Sequence, residues 1–399
     1  DAPLRSYSVT LYASAGTGQR ARVLGEATSG PDGTFAIDHS VPTHPDAVLY
    51  LVARKGPAAL ASVLGAAPLG TASVVVNERT TVASAFALAQ FIRGYSLSGN
   101  AVGVRNGAAM LRNLVDPETG AVAAVLGEAP NGRESSTLAT FNALANMVAA
   151  CVRDGTRCPP LLAAAQPPRG PAPRQTLQAI VDVARHPAHN VGALFEASQA
   201  GATPYGPALR SAPNAWTLAV RFNGDGLTNA PGNFAIDAEG NAWATNNYQP
   251  GGRDDTVCAS DKLLRFAPNG QFVAGSPYFG GGLSGAGFGI TLDPRGNVWV
   301  GNFGFEAPAC SGTPDAAPHN SVSKFGPDGT ALSPDETGFT AGRISWPQGT
   351  VSDRGGTIWI ADDCNDSITL YPDGRPGLAR NHGTRRHGLR KPFAIAVDP

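Results

Sequence analysis

The sequence predicts a multidomain, mainly β protein: an N-terminal small β-sandwich, a helical linker domain, and a C-terminal β-propeller truncated at the end of the chain. Three observations predict it. One phrase recurs four times after residue 230, as "APGNFAIDAEGNAWATNN", "GAGFGITLDPRGNVWVGNF", "WPQGTVSDRGGTIWIADD" and a final "KPFAIAVDP". The stretch from about residue 77 to 199 changes from a period of two to a helical period. Gly (49) and Pro (33) together make about a fifth of the 399 residues, against a usual share of about 12%, which favours turns and short strands.

The sandwich is read over residues 1–56. "YSVTLYAS" alternates, with Val9 and Leu11 on one face. "GEATSGPDGTFAID" holds a Pro-Asp-Gly turn between two strand-like runs, a hairpin signal. "AVLYLVARKG" is a continuous apolar run of the kind a sandwich buries on both faces. Three or four strands make a thin core, so a further strand is expected upstream of Asp1.

The linker is read over residues 57–213. "NERTTVASAFALAQFI" offers Thr80 or Thr81 as an N-cap, followed by Val82, Phe86, Ala89 and Ile92 at helical spacing. "SSTLATFNALANMVAACV" repeats the pattern with Leu138, Phe141, Leu144, Ala145 and Val148. "RQTLQAIVDVARHPAHNVGALFEAS" gives two more helices, broken before Pro187, and the Pro-rich "QPPRGPAPR" reads as an extended linker. Cys151 and Cys158 flank a Gly-containing turn. A zinc site wants a second Cys or His pair at short spacing, and none follows. A local disulfide is the simpler account, and it implies an oxidising compartment.

The propeller is read over residues 214–399. Asp237, Asp293, Asp353 and Asp398 fall in register, 56, 60 and 45 residues apart, within or above the roughly 40–50 residues of one propeller blade. Each copy has an inner strand (Phe234/Ile236, Ile290/Leu292, Ile395/Val397), an Asp-x-x-Gly-Asn-type turn, and a strand centred on Trp243, Trp299 or Trp359. A third strand follows in "KLLRFAPNG", "SVSKFGPDG" and "SITLYPDG". The third copy puts Thr350 and Ser352 at its inner positions, so its inner strand is weaker. One such sheet cannot bury both faces, whereas copies stacked around an axis bury each other. The indoles are expected to fill the space between blades. "NAWTLAVRF" (214–222) alternates and is expected to complete the last blade, whose other strands would lie beyond Pro399.

A meander places the turns after strands one and three at one end, and those after two and four at the other. The first set is short; the second carries the insertions 247–261, 272–287, 303–320, 331–347 and 378–391. Binding is expected at that second, insertion-bearing face. Asn246, Asn302 and Asp362 hold equivalent positions there, either as oxygen ligands for Ca²⁺ or as caps bonding the backbone of their own loops. Asp254, Asp255, Asp363 and Asp366 crowd two acidic loops without the spacing of a calcium loop, so solvated loops are the other reading. Cys258, Cys310 and Cys364 lie on corresponding loops; Cys258–Cys310 is the expected bridge, with the partner of Cys364 open. "ARNHGTRRHGLRK" gathers Arg380, Arg385, Arg386, Arg390 and Lys391, either to grip an anionic polymer or as a solvated connection.

Other chemistry is excluded. "GGGLSGAGFG" leads into a strand rather than from strand to helix, so it is no dinucleotide cradle. The His residues show no metal spacing. A net charge of −1 gives no pull towards nucleic acid. No apolar run is long enough for a transmembrane helix. The chain starts at Asp1 without Met or leader, as expected after signal-peptide removal or for a fragment.

The motif "PxGIAxDxxGNVWVxN", followed by "SVxxFxPxG", resembles NHL-repeat β-propellers, especially bacterial secreted ones. "VNERTTVASAFAL", "LANMVAACVRDG" and "NAWTLAVRF" resemble the helical linker of such proteins. The first fifty residues resemble a carboxypeptidase-regulatory-like (prealbumin-like) sandwich. The resemblance implies a secreted, periplasmic or cell-surface protein. Streptogramin B lyases share this repeat, are metal-dependent and place His near the axis, often five residues before the inner-strand Asp. Those positions here are Gly232, Phe288, Gln348 and Phe393, so no His-rich site carries over. The expectation is a non-enzymatic cell-envelope binding or scaffold protein with a protein or carbohydrate partner. The alternative is a metal-dependent propeller enzyme, lactonase-like or lyase-like, using Ca²⁺ at Asn246, Asn302 and Asp362.

Overall fold

The alternating and apolar runs near the N-terminus pair into one antiparallel sheet, in the order β2-β1-β3-β4. Its strands are β1 (Ser8–Ala13), β2 (Arg22–Thr28), β3 (Val48–Lys55) and β4 (Ala58–Ala66). The computed structural model describes residues 3–39, 46–66, 72–250, 257–304, 320–383 and 388–398. It divides into two units, Asp1–Arg221 and Phe222–Pro399.

Two expectations for the first unit are corrected. The expected sandwich is a single sheet among the described residues: residues 34–38, read as the return strand of a hairpin, join no ladder, and β2 pairs with β1 instead. The sheet also runs past residue 56, because Gly56 takes the left-handed conformation (φ 57°) and turns the chain back so that β4 pairs along β3. Pairing there overrides the helical propensity of an Ala-rich segment.

Register puts Leu11 opposite Leu51, and Ala13 opposite Leu49, on one face of the sheet. On the other face Tyr12 stacks on Tyr50, with centroids 5.2 Å apart. The Tyr50 hydroxyl donates to the Tyr95 carbonyl (2.9 Å) and accepts from Leu97 N–H (3.0 Å). These partners belong to a small hairpin of β5 (Ile92–Arg93) and β6 (Ser96–Leu97).

The helices are α1 (Glu78–Ala87), α2 (Ala101–Leu111), α3 (Thr137–Arg153), α4 (Cys158–Ala164), α5 (Thr176–Arg185) and α6 (Val191–Gln199). Asn77, not Thr80 or Thr81, caps α1. Its Oδ1 accepts Thr80 N–H (2.9 Å) while Thr80 Oγ1 accepts Asn77 N–H (2.9 Å), a reciprocal box. Thr81 is thereby left for the sheet, where its Oγ1 accepts Ala61 N–H (3.0 Å). Thr176 Oγ1 accepts Ala59 N–H (2.9 Å) and donates to Ala59 O (2.6 Å). Two threonines thus close the free edge of β4, which would otherwise offer unpaired backbone groups.

Cys151 and Cys158 form the local disulfide between α3 and α4. Residues 214–222 form no strand. Trp216 is instead buried in the first unit's core, Thr137 Oγ1 donates to Ala219 O (2.5 Å), and Arg221 N–H donates to Asn131 Oδ1 (2.8 Å). The division therefore falls after Arg221 rather than after residue 213.

Among the described residues the second unit contains three antiparallel meanders. The first is β7 (Phe234–Ile236), β8 (Ala242–Thr245) and β11 (Leu263–Phe266), with a hairpin of β9 (Tyr248–Pro250) and β10 (Val257–Ala259) inserted. The second is β12 (Ala286–Leu292), β13 (Val298–Asn302) and β14 (Ser321–Phe325). The third adds a fourth strand: β15 (Pro347–Ser352), β16 (Ile358–Asp362), β17 (Ser367–Tyr371) and β18 (Arg380–Gly383). Trp243 is buried among Tyr278, Ile290, Val298 and Phe325 between the first two sheets. Trp299 is buried among Val322, Ile358, Ile360 and Tyr371 between the next two. Trp359 is half-buried. The inner strands approach through backbone: a Cβ on Gly289 of β12 would lie 2.2 Å from Gln348 O of β15. That approach explains how the polar inner strand of the third copy packs. Phe234 and Ile236, read as inner-strand core, are instead 63% and 54% exposed.

Candidate functional site

One end of each sheet in the second unit is a closed turn. Asp237, Asp293 and Asp353 each accept the indole N–H six residues on, from Trp243 (3.1 Å), Trp299 (3.0 Å) and Trp359 (3.0 Å). The other carboxylate oxygen takes backbone N–H groups of the turn, Asn241 (2.8 Å), Asn297 (3.0 Å) and Thr357 (2.9 Å). Burial pushes these carboxyls up, but their hydrogen bonds outweigh it and hold all three below the usual range. Cations complete two of the copies. Arg265 pairs with Asp237 (2.6 Å) and lies 4.5 Å over Trp243; Lys324 lies 4.6 Å over Trp299. Leu370 stands opposite Trp359 in the third copy. With every acid and indole engaged, this end is architecture.

At the opposite end Asn246, Asn302 and Asp362 are fully buried. Each accepts the N–H of the residue before a left-handed corner: Asn229 (2.6 Å), Ser284 (3.0 Å) and Ser345 (3.4 Å) respectively. The corners are Ala230 (φ 43°), Gly285 (φ 54°) and Trp346 (φ 52°). Two of the three lack the residue that tolerates positive φ without strain. The amide of Asn246 donates to Ser260 Oγ (2.9 Å), and that of Asn302 to Ser321 Oγ and Ser323 Oγ (both 2.9 Å). The described bonds of these side chains run to their own sheets and loops. Among the described residues, no group of three or more His, Cys, Asp or Glu gathers to hold a metal.

Asp362 differs from its two counterparts. Its Oδ2 accepts Thr369 Oγ1 (2.7 Å), Ser367 Oγ (3.3 Å) and Asn381 Nδ2 (3.4 Å). Burial pushes its carboxyl up to about 6, against the bonds from Thr369, Ser345 and Ser367.

Of the other anticipated residues, Asp254, Asp255, Cys310, Arg385 and Arg386 lie outside the described residues. Cys258 is disulfide-bonded, and Cys364 is exposed. Asp363 is half-buried, its N–H donating to Trp346 O (3.2 Å). Asp366 Oδ1 accepts Lys391 N–H (2.9 Å), so it holds a fourth left-handed corner, at Lys391 (φ 46°). The Asp366 carboxylate thus fastens a loop. A surface feature the sequence reading passed over is the contact of Lys262 with Gln249 of β9 and with Phe279, whose ring lies 5.7 Å from Lys262 Nζ. Phe279 is 51% exposed. Its only sequence signal was an aromatic pair, Tyr278-Phe279, next to a Gly run.

No family model matches this sequence, and no curated protein does. Solved structures are similar over part of the chain. A streptogramin B lyase is 15% identical over 42% of this chain and 58% of its own, with a TM-score of 0.24. Virginiamycin B lyase from Staphylococcus aureus is 13% identical over 41% of this chain and 58% of its own, with a TM-score of 0.23. A gluconolactonase from Xanthomonas campestris is 16% identical over 46% of this chain and 55% of its own, with a TM-score of 0.28. The chain spans less than two thirds of the length of each.

Proposed function

We propose that the second unit is part of an NHL-type β-propeller acting as a binding module of the cell envelope, and that its insertion-bearing end holds a protein or carbohydrate partner without turning it over. One observation carries this reading. Each of the three meanders repeats the same closed aspartate–indole turn at one end, while the variable segments are clipped at the other by Asn246, Asn302 and Asp362. A scaffold with one invariant end and one variable end is suited to recognition. The buried disulfide in the first unit and the bonded Cys258 in the second favour an oxidising compartment outside the cytosol.

The test is a panel of glycans, lactones and cyclic peptides incubated with the full chain, with binding and turnover followed together by mass spectrometry. Saturable binding of an unchanged ligand is expected, weakened about tenfold, some 1.4 kcal/mol, by Lys262→Ala or Phe279→Ala. Arg295→Ala, in a closed turn, should leave it unaltered. Turnover, or equal sensitivity to Arg295→Ala, refutes the reading.

A further inference from the structure

The first unit holds a cavity of about 1720 Å³ beside its sheet. Drug-sized ligand sites run to about 300–1,000 Å³, so there is room for an organic molecule. Its lining mixes apolar and charged side chains. Leu4, Phe35, Ile37 and Leu64 line it half-buried, over Leu11, Leu49 and Leu51, which are buried in the sheet. At the start of α1 and the end of α3 it is lined by Glu78, Arg79 and Arg153, with Tyr205 beside them.

The charges of the lining do not cancel. The buried Glu78 carboxylate already has a partner, accepting the Tyr205 hydroxyl at 2.5 Å. The Arg79 guanidinium lies 4.4 Å over the Tyr205 ring and donates one terminal nitrogen to Asn142 Oδ1 (3.1 Å). Its Nε is buried and has no hydrogen-bond partner, an arrangement that a buried donor rarely keeps without an acceptor. Arg153 is exposed, and its charge is felt at Tyr205 together with that of Arg79. Over the whole lining Arg5, Lys55, Arg79 and Arg153 stand against Asp32, Asp38 and Glu78, so positive charge is in excess, with the unpartnered Nε of Arg79 among the donors.

We propose that this cavity binds an amphipathic anion, its alkyl or aryl body on the apolar lining and its anionic head accepting hydrogen bonds from Arg79 and Arg153. Nothing in the proposal depends on the second unit.

Calorimetric titration of the full chain with dodecanoate, dodecylamine and dodecanol, each below its micelle concentration, tests it. The three probes share a tail and differ in head charge. Dodecanoate is expected to bind about tenfold more tightly than the other two. Arg79→Gln and Arg153→Gln should each remove most of that difference, while Arg20→Gln, exposed and outside the cavity, should not. Should Arg79→Gln fail to fold by circular dichroism, the exposed Arg153→Gln carries the same comparison. No binding of dodecanoate, equal binding of all three probes, or tighter binding of the amine overturns the proposal.

Discussion

Asp362 is a carboxylate standing where two sister sheets carry a carboxamide, and pH distinguishes them. Burial raises its pKa from 3.8 to about 6, so over that interval the folded chain holds a proton that the unfolded chain has released. Its contribution to stability is full below the ordinary carboxylate value and is lost as pH rises through about 6. Asp237, Asp293 and Asp353 are held low, so their contribution is present at neutral pH and is lost as pH falls below that ordinary value. Asp362→Asn should therefore remove the upper window alone and raise stability at neutral pH by on the order of 2 kcal/mol. Ser367 and Thr369 would then accept from the new amide, as Ser321 and Ser323 do from Asn302. Urea midpoints across that pH range check it; an unchanged slope between about 4 and about 6 counts against it. The equivalence of Asn246, Asn302 and Asp362 was legible in the sequence because the repeats align. The corners they hold were not, because only Gly285 among them is a residue type that announces positive φ; Ala230, Trp346 and Lys391 are held there by tertiary hydrogen bonds.

At the scale of the elements, strands carrying a Trp and an Asp turn could be read directly, since the period of two and the turn residues agree. β4 could not, because "AALASVLGA" is Ala-rich and its strand conformation depends on β3 on one side and two threonines on the other. Thr176→Val keeps the shape and removes the hydroxyl bonded to both backbone groups of Ala59. It should destabilise the first unit by about 1–3 kcal/mol and speed hydrogen exchange at the Ala59 amide; unchanged protection there would show that the edge is closed by other means. The helical segment was placed correctly in outline and misjudged at its start, since Asn77 outcompetes Thr80 and Thr81 as cap. In the second unit a methyl group at Gly289 meets the Gln348 carbonyl at 2.2 Å. Gly289→Ala should force β12 and β15 apart and lower the unfolding free energy by about 3 kcal/mol, measurable by chemical denaturation. An effect below about 1 kcal/mol would mean that the inner strands have room to spare.

For the molecule as a whole, the chain was legible as β, helical and repeat segments, but not as two units divided after Arg221. The alternation of "NAWTLAVRF" imitates a strand, while its Trp216 is taken by the helical core. Asp293→Ala tests the division. It strands the Trp299 indole N–H, the Asn297 amide and turn N–H groups, and should cost about 3 kcal/mol. Calorimetry should show two transitions, of which the one belonging to the second unit moves; a common shift of both would show the units to be thermodynamically one. The hydrogen bond from Asn302 to Ser321 has a broader implication. It staples the two roots of everything inserted between residues 302 and 321. Once roots are fixed, doubling the length of a flexible excursion costs only about 0.6 kcal/mol. Where two strand ends are pinned in this way, the length of what joins them is only weakly set by the stability of the sheet.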